Sequence, residues 1–297
     1  MYDKNTFAHE LSFMRRPHTK ELDGVDIAVV GVPYDLATSN RPGARFGPRA
    51  IRAASAQLAW GKHWPWNINP FEKLNVIDYG DLDIDYGYSS SIIGAEITID
   101  IIKILKAGAS TLTLGGDHWA TYPILKAYNE MHGPLALIHF DAHSDTWNEK
   151  VQRFDHGTMF YHAINEGLID PDHSIQIGIR TTNEDRMGMK WVTADLVHNR
   201  SAVFVAKQIA ERVRTKKVYL TVDIDCLDPS VAPGTGTPVC GGLFMHQVQN
   251  IMHLLAPRIN IVGMDVMEVS PPYDHAEITS LAAATIALDL LCFQASS

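Results

Sequence analysis

The chain has 297 residues, of which 46% are hydrophobic and 20% are charged, a balance that can bury one large core. Its formal net charge of −9 repels phosphate groups, which argues against nucleic acid and anionic membrane surfaces as partners. The same charge favours a cationic small molecule. Since no repeat, low-complexity segment or long linker interrupts the sequence, a single domain over residues 1–297 is predicted.

The cysteines and the N-terminus indicate a location in the reducing cytoplasm. Cys226, Cys240 and Cys292 lack the paired pattern of a secreted disulfide framework. The first 17 residues are polar and of mixed charge, without the apolar stretch of a signal peptide. No uninterrupted apolar run approaches the roughly 18 residues that cross a membrane. A cytoplasmic protein is therefore predicted.

Short apolar runs alternate with amphipathic stretches along the chain. Seven runs are predicted as strands, at 26–32, 74–79, 110–114, 135–140, 174–179, 217–222 and 259–265. Six stretches are predicted as helices, at 48–60, 90–107, 121–132, 203–214, 245–256 and 278–295. Strands that are apolar on consecutive residues are typical of sheets covered on both faces. The predicted fold class is therefore α/β, with three α/β/α layers and a mainly parallel sheet.

Four of these strands lead directly into carboxylates or imidazoles. The sequences are GGDH at 115–118, DAHSD at 141–145, DIDCLDP at 223–229 and DVME at 265–268. In open α/β sheets the ligand site lies beyond the carboxyl ends of the strands, so these side chains are expected to meet there. Residues two apart on an extended chain point the same way, which groups Asp141, His143 and Asp145 and pairs Asp223 with Asp225.

A cluster of this composition is typical of a site for two divalent metal ions. Four neighbouring aspartates repel one another and cannot all ionise without cations between them. More ligands converge than one ion needs, and two ions with shared carboxylates explain the excess. Oxygen and imidazole ligands without thiolate favour Mn²⁺, with Zn²⁺, Co²⁺ and Fe²⁺ as alternatives. Two such ions would lower the pKa of a bridging water and supply a hydroxide near neutral pH.

The motifs GGDH, DAHSD and DIDCLDP resemble the metal motifs of the ureohydrolase family, which contains arginases and agmatinases. The resemblance extends from PGARFGP at 42–48 to EIT at 277–279, and it implies the three-layer ureohydrolase fold, two Mn²⁺ ions per subunit and a homo-oligomer, trimeric or hexameric. It implies that one ion is bound by His118, Asp141, Asp145 and Asp223. The other ion would be bound by Asp141, His143, Asp223 and Asp225, which makes Asp141 and Asp223 the bridges.

The resemblance also assigns two residues to the substrate. Glu268, in MEVSP, matches the family carboxylate that pairs with a guanidinium group. His156, in FDHGTMF, matches the histidine that shuttles a proton to the leaving amine. Both residues are therefore expected to bind substrate and to take part in catalysis. The implied reaction is attack of the metal-bridging hydroxide on the guanidinium carbon, with release of urea and an amine.

Within the family, FDHGTMFYHAINEGLID at 154–170 and QIGIRT at 176–181 most resemble bacterial agmatinases. The short segment between Trp147 and His156 lacks the longer polar stretch with which arginases hold the amino-acid end of arginine. The predicted function is therefore cleavage of agmatine to putrescine and urea, a step of polyamine synthesis. Hydrolysis of guanidinobutyrate, guanidinopropionate or a formimino substrate is the alternative. A non-catalytic metal-binding relative is disfavoured, because His156 and Glu268 are both present.

Other polar residues near the motifs receive lesser assignments. Asp228 is predicted to cap its loop or to orient a metal ligand, and Thr235 and Thr237, in PGTGTP, are candidates for the same face. Cys226 is predicted to pack in the core, because its side chain points away from the neighbouring aspartates. Asp155 and Asp274 are loop carboxylates that would suit the terminal ammonium group of agmatine.

Overall fold

The computed structural model describes residues 10–148, 153–214 and 216–296. The strands in these residues are β1 (Ile27–Val32), β2 (Val76–Asp81), β3 (Ser110–Gly115), β4 (Ala136–Phe140), β5 (Ile175–Ile179), β6 (Lys190–Thr193), β7 (Lys217–Asp223) and β8 (Asn260–Met267). The helices are α1 (Gly47–Ser55), α2 (Ser90–Lys106), α3 (Thr121–His132), α4 (Met159–Asn165), α5 (Ala194–Asn199), α6 (Ala202–Val213), α7 (Met245–Leu255) and α8 (Ile278–Ala295).

All eight strands form one sheet in the order β2-β1-β3-β8-β7-β4-β5-β6, and each pair of neighbours within the described residues is parallel. Helices α1 and α5 to α8 pack on one face, against residues such as Ile27 and Val29 of β1. Helices α2 to α4 pack on the other face, against Ala28 and Val30. Successive strand residues point to opposite faces, so both sets must be apolar. The predicted three-layer α/β/α fold is confirmed.

The differences from the predicted elements fall at short elements and at the ends of longer ones. Strand β6 and helices α4 and α5 were not predicted, because each has seven residues or fewer and β6 lies at the sheet edge. Helix α1 ends at Ser55, where a 3₁₀ turn (Ala56–Leu58) replaces the predicted continuation to residue 60. Strand β8 continues two residues beyond its predicted end, to Met267.

Helix α8 is long and apolar enough to cross a membrane by length and composition, with a mean hydropathy of 1.6. However, 78% of its residues are buried inside the protein, where it contacts α1, α7 and β8. A core helix of a globular domain has the same apolar composition, so the helix is no argument for a membrane span.

A buried carboxylate in α8 anchors the segment between α1 and β2. Asp289 Oδ1 lies 2.7 Å from His63 Nε2 and accepts a hydrogen bond from Trp66 Nε1, also at 2.7 Å. Trp66 is 6% exposed and packs against Phe293, one turn further along the helix. The contacts join distant parts of the chain across one small polar cluster.

We expect Asp289→Ala to lower the free energy of unfolding by about 1–3 kcal/mol, because His63 and Trp66 would lose their buried acceptor. The measurement is urea denaturation followed by tryptophan fluorescence. Asp289→Asn is the matched control, since it keeps one carbonyl oxygen and should lose less stability. Equal stability of the alanine variant and the unmodified protein would contradict the anchoring role.

The sheet order places the four motif-bearing strands side by side at its centre. Strands β3, β8, β7 and β4 are consecutive neighbours, and all run in the same direction. Their carboxyl ends therefore meet along one edge of the sheet, as the strand-end rule for α/β proteins requires.

Candidate metal and substrate site

The six predicted metal ligands meet at this edge in two sets. In the first set, His118 Nδ1 faces three carboxylates, at 3.3 Å from Asp141 Oδ2, 3.2 Å from Asp145 Oδ2 and 3.0 Å from Asp223 Oδ2. In the second set, His143 Nδ1 lies 3.4 Å from Asp141 Oδ1 and 3.0 Å from Asp225 Oδ2.

Asp141 belongs to both sets, and each set contacts a different oxygen of its carboxylate. This is the arrangement that a carboxylate shared by two cations requires. Asp223, the second predicted bridge, directs Oδ2 toward His118, while its Oδ1 accepts a hydrogen bond from the backbone N–H of Asp225 at 2.8 Å.

The ligand side chains converge, but not through the extended strand geometry expected from the sequence. Strand β4 ends at Phe140, and Asp145 adopts a left-handed backbone conformation with φ 52°. Asp225 lies in a 3₁₀ turn (Ile224–Cys226) rather than in β7. The loops after the strands therefore aim the ligands, and the left-handed turn directs Asp145 to His118.

Burial and crowding raise the pKa values of three carboxyl groups in the cluster. Burial, then the neighbouring carboxylates, raise the pKa of Asp223 well above its usual range, and burial with the charge of Asp141 raises that of Asp145 to about 7. Burial also raises the pKa of Asp225. The pKa of Asp141 is lowered despite burial, because His139, His118 and His143 surround it.

The arrangement fits a pair of divalent cations. Buried carboxylates that repel one another gain most from a positive charge placed between them. The donor atoms are carboxylate oxygens and imidazole nitrogens, which suit Mn²⁺ and related ions. Cys226 is fully buried, and burial raises the pKa of its thiol well above the usual range. A thiolate ligand is therefore not favoured.

The orientation of His118 is set by residues on β7 and β8. Its Nε2 lies 2.8 Å from Thr221 Oγ1, and the Thr221 hydroxyl donates to Asp265 Oδ1 at 2.5 Å. Because that hydroxyl hydrogen is used by Asp265, Thr221 accepts the hydrogen of His118 Nε2. Because Nε2 is bonded to Thr221, Nδ1 is the ring nitrogen available to a metal ion among the carboxylates.

The sequence analysis missed His139, a buried neighbour of the cluster. Its Nε2 lies 2.6 Å from Asp141 Oδ2, and its Nδ1 accepts from Gln176 Nε2 at 2.9 Å. Burial lowers the pKa of His139 to about 4, so the ring is neutral and Nε2 carries the hydrogen. We assign it as a donor that orients Asp141 and not as a ligand. The rule of residues two apart, applied backwards from Asp141, would have found it.

The structure places the two predicted substrate residues in contact. His156 Nδ1 lies 2.7 Å from Glu268 Oε1, which also accepts from the backbone N–H of His118 at 2.9 Å. Glu268 is fully buried, and its Oε2 has no hydrogen-bond partner among the described residues. Its backbone has φ 66°, a conformation that is costly for a residue with a side chain and common at functional sites.

The charge of Glu268 governs the ionisation of His156. Burial alone lowers the pKa of the imidazole, but the Glu268 carboxylate and, after it, Asp117 raise it to about 9. The protonated imidazole is therefore the favoured form of His156 in the metal-free protein, and it can donate a proton beside the metal cluster.

Residues 35–43, which precede α1, contact the other side of the His156 ring. The sequence analysis missed this contact too. The backbone nitrogen of Ser39 lies 3.0 Å from His156 Nε2, and the Ser39 hydroxyl, which can accept the hydrogen of the protonated ring, lies 2.7 Å from the same atom. The backbone N–H of His156 donates to the carbonyl of Ala37, whose own N–H donates to Asp117 Oδ2 at 2.8 Å. Asp35 Oδ2 accepts a hydrogen bond from the backbone N–H of Gly43 at 2.7 Å, which joins the two ends of this segment. No motif pattern signals a contact between residues 117 positions apart.

We expect Ser39→Ala to lower kcat about fivefold, because it removes one hydrogen bond worth about 1 kcal/mol from the imidazole. The measurement is steady-state urea release at saturating substrate, together with bound metal. Ser39→Thr keeps the hydroxyl and should restore the rate, and Ser110→Ala at the start of β3 controls for the same chemical change elsewhere. An unchanged kcat in Ser39→Ala would contradict the role of the hydroxyl.

A cavity of about 270 Å³ lies over the cluster. Its wall includes His143, Asp145 and Asp223 from the cluster, and Trp147 and Asp155 from the loops above. Trp147 also lines a second cavity, together with Thr181 and Asn183.

The structure places the residues with lesser assignments in different surroundings. Asp155 lines the cavity and pairs with Arg153, whereas Asp274 accepts hydrogen bonds from Thr279 and Ser280 and so caps α8. The Asp228 carboxylate accepts from four donors in its own loop, and it makes no hydrogen bond to a predicted ligand among the described residues.

Comparison with known proteins agrees with this arrangement. The model of the arginase family matches residues 25–292. The agmatinase of Chromobacterium violaceum is 53% identical over 97% of this chain and 90% of its own length. A crystal structure of a hypothetical agmatinase from Burkholderia thailandensis has a TM-score of 0.95 and 51% identity, and the match covers 98% of this chain and 92% of that one. Proclavaminate amidino hydrolase from Streptomyces clavuligerus has a TM-score of 0.92 and 41% identity, over 99% of both chains.

A chain with this sheet order and this cluster of aspartates and histidines is a metal-dependent hydrolase by its fold and its site. It belongs to the arginase family.

Proposed function

We propose that the protein hydrolyses agmatine to putrescine and urea. The observation that carries the proposal is Glu268, a fully buried carboxylate with one unpaired oxygen directly beside a cluster suited to two cations. A guanidinium group offers paired N–H donors to such a carboxylate. The high identity to a curated agmatinase supports agmatine as the substrate that carries this group.

The chain's own residues have separate parts in the proposed reaction. His118, Asp145, Asp223 and the shared Asp141 would hold one divalent ion, and His143 and Asp225, with Asp141 and Asp223, the other. Such a pair of ions supplies a hydroxide nucleophile near neutral pH and offsets the charge that develops on the reacting carbon's substituents.

Glu268 would bind and orient the guanidinium group through Oε2. Gly236 leaves space there, because a Cβ atom at that position would lie 3.3 Å from Glu268 Oε2. His156 would donate a proton to the leaving amine nitrogen, and Ser39 holds the imidazole in place for this transfer.

The wall of the cavity has groups for the far end of the substrate. The carboxylate of Asp155 suits the terminal ammonium of agmatine, and the indole of Trp147 suits the methylene chain. Arg153 pairs with Asp155 and would compete for it, so that this end of the cavity carries both charges. The guanidino acids remain the competing substrates for this reason.

The test is a panel of substrates with the pure protein and Mn²⁺. Agmatine, arginine, guanidinobutyrate, guanidinopropionate and formiminoglutamate are compared by urea or formamide release. Agmatine is expected to give the highest kcat/KM. Glu268→Gln is the matched blank, expected to keep its metal and to lose activity on every guanidino compound. Preferential release of urea from guanidinobutyrate would overturn the choice of agmatine but not the reaction class.

We extend the proposal to the protein's setting. We propose that Mn²⁺ is the native metal, that residues 1–297 form one domain and that the chain works as a homo-oligomer in the cytoplasm, in polyamine synthesis. The donor chemistry supports manganese, and the family match over residues 25–292 supports a single domain. Metal analysis of protein purified without added metal, and its mass in solution, test the first and third points.

A further inference from the structure

Arg180 follows β5 and carries a guanidinium group that the metal-site assignment does not use. Within the described residues its hydrogen bonds go to main-chain carbonyl oxygens and not to a carboxylate. Nη2 donates to the carbonyls of Asp225 at 2.6 Å, Val239 at 2.8 Å and Leu227 at 3.2 Å. Nη1 donates to Cys226 at 3.2 Å and to Gly178 at 3.2 Å.

Three of these carbonyls are consecutive and close the turn that carries Asp225. The turn Ile224–Cys226 is too short to satisfy its last carbonyl groups internally, as at any helix end. A guanidinium group, with five N–H donors in one plane, can bond several converging carbonyls at once. The side chain of Arg180 thus fixes the turn from which Asp225 Oδ2 reaches His143 Nδ1 at 3.0 Å.

The backbone of Arg180 holds the loop that carries the other two residues of the second ligand set, Asp141 and His143. The backbone N–H of Arg180 donates to the carbonyl of Ala142 at 3.0 Å, and Thr181 Oγ1 donates to that carbonyl at 3.1 Å. Ala142 lies between Asp141 and His143 in the sequence. Arg180 therefore connects the loop of Asp141 and His143 to the loop of Asp225.

We propose that Arg180 is a positioning residue that sets these two loops at the separation one of the two metal ions requires. The inference rests on the proposed two-ion site. The second ligand set, Asp141, His143 and Asp225, is held by this connection together with the hydrogen bond from the backbone N–H of Ala142 to Asp225 Oδ1 at 3.1 Å. In the first set, Thr221 and Glu268 hold His118, and Asp223 is the last residue of β7, so within the described residues neither is bonded to Arg180. Asp141 belongs to both sets, but its loop is held by the backbone N–H of residue 180, which a side-chain substitution leaves in place.

The test compares Arg180→Lys with Arg212→Lys. Lysine keeps the positive charge and loses the planar set of donors. Arg212 is the matched control, because its guanidinium also donates to main-chain carbonyls, those of Pro171, Ser174 and Gly188, away from the cluster. Calorimetric titration of the metal-free proteins with Mn²⁺ measures the number of ions and each affinity, and thermal melting reports general stability.

The unmodified protein is expected to bind two ions per chain. Arg180→Lys should bind the first ion normally and the second about 10- to 100-fold more weakly, the range found when a residue that orients a metal ligand is lost. Arg212→Lys should melt at a lower temperature and bind both ions normally. Arg180→Gln, which keeps one amide N–H₂ group and loses the other donors, should also weaken the second ion and serves if Arg180→Lys does not fold.

Two outcomes would overturn the role of Arg180. One is normal binding of both ions by Arg180→Lys, or by Arg180→Gln if it must replace that variant. The other is an equal loss of both ions in Arg180→Lys and Arg212→Lys, which would indicate general destabilisation. Fewer than two ions in the unmodified protein would instead overturn the two-ion site on which the inference rests.

Discussion

Replacing Asp141 with asparagine is expected to remove both metal ions and, with them, measurable hydrolysis. Asp141 contributes Oδ2 to the set around His118 and Oδ1 to the set around His143, so that one substitution weakens both. Loss of a residue that only orients a ligand costs about 10- to 100-fold in metal affinity, and loss of a shared ligand should exceed that. Metal content after dialysis against a low concentration of free Mn²⁺, with urea release from the same sample, is the measurement.

Substitutions confined to one set provide the comparison for Asp141→Asn. Asp145→Asn changes only the first set and Asp225→Asn only the second, so each should weaken one ion and leave the other. Asp100→Asn, on α2, makes the same chemical change outside the cluster and should alter neither ion. The bridging assignment would be wrong if Asp141→Asn retained both ions and full turnover.

Replacing His156 with asparagine is expected to lower kcat by about 10²- to 10⁴-fold, the usual contribution of a general acid. His156 lies between Glu268 and Ser39 and, within the described residues, makes no hydrogen bond to any of the six metal ligands, so the metal content should stay at two ions. The expected combination is therefore a large loss of rate with intact metal, the reverse of the pattern for Asp141→Asn. Single-turnover urea release with metal analysis of the same protein separates the two.

The exposed histidine on α5 offers a control for this substitution. His198→Asn removes an imidazole that contacts Gly241 and Gln247 at the surface, and kcat should be unchanged. Loss of metal in His156→Asn would indicate that the loop of His156 supports the cluster and would remove the case for proton transfer. A kcat within twofold of the unmodified protein would contradict the general-acid role directly.

The sequence alone was enough for the layered α/β fold and for the identity of the clustered residues. Consecutive apolar residues, as in β1 and β4, revealed strands covered on both faces, since polar side chains cannot face a packed helix layer. The strand-end rule then placed GGDH, DAHSD and DIDCLDP at one edge. Short elements such as β6 and α4 were missed, because four or seven residues hold too little of a periodic pattern to identify a strand or helix.

The contacts between these groups were decided by tertiary structure. The orientation of the Asp141 carboxylate depends on the hydrogen bond from His139 Nε2, and the left-handed turn at Asp145 brings a further carboxylate to the same set. Neither feature follows from a strand pattern. Ser39 and Arg180 reach the site from distant positions in the sequence, through hydrogen bonds that no local pattern records. Local sequence records the periodicity of each element, but a contact between loops depends on where the sheet brings their ends, which only the packed fold determines.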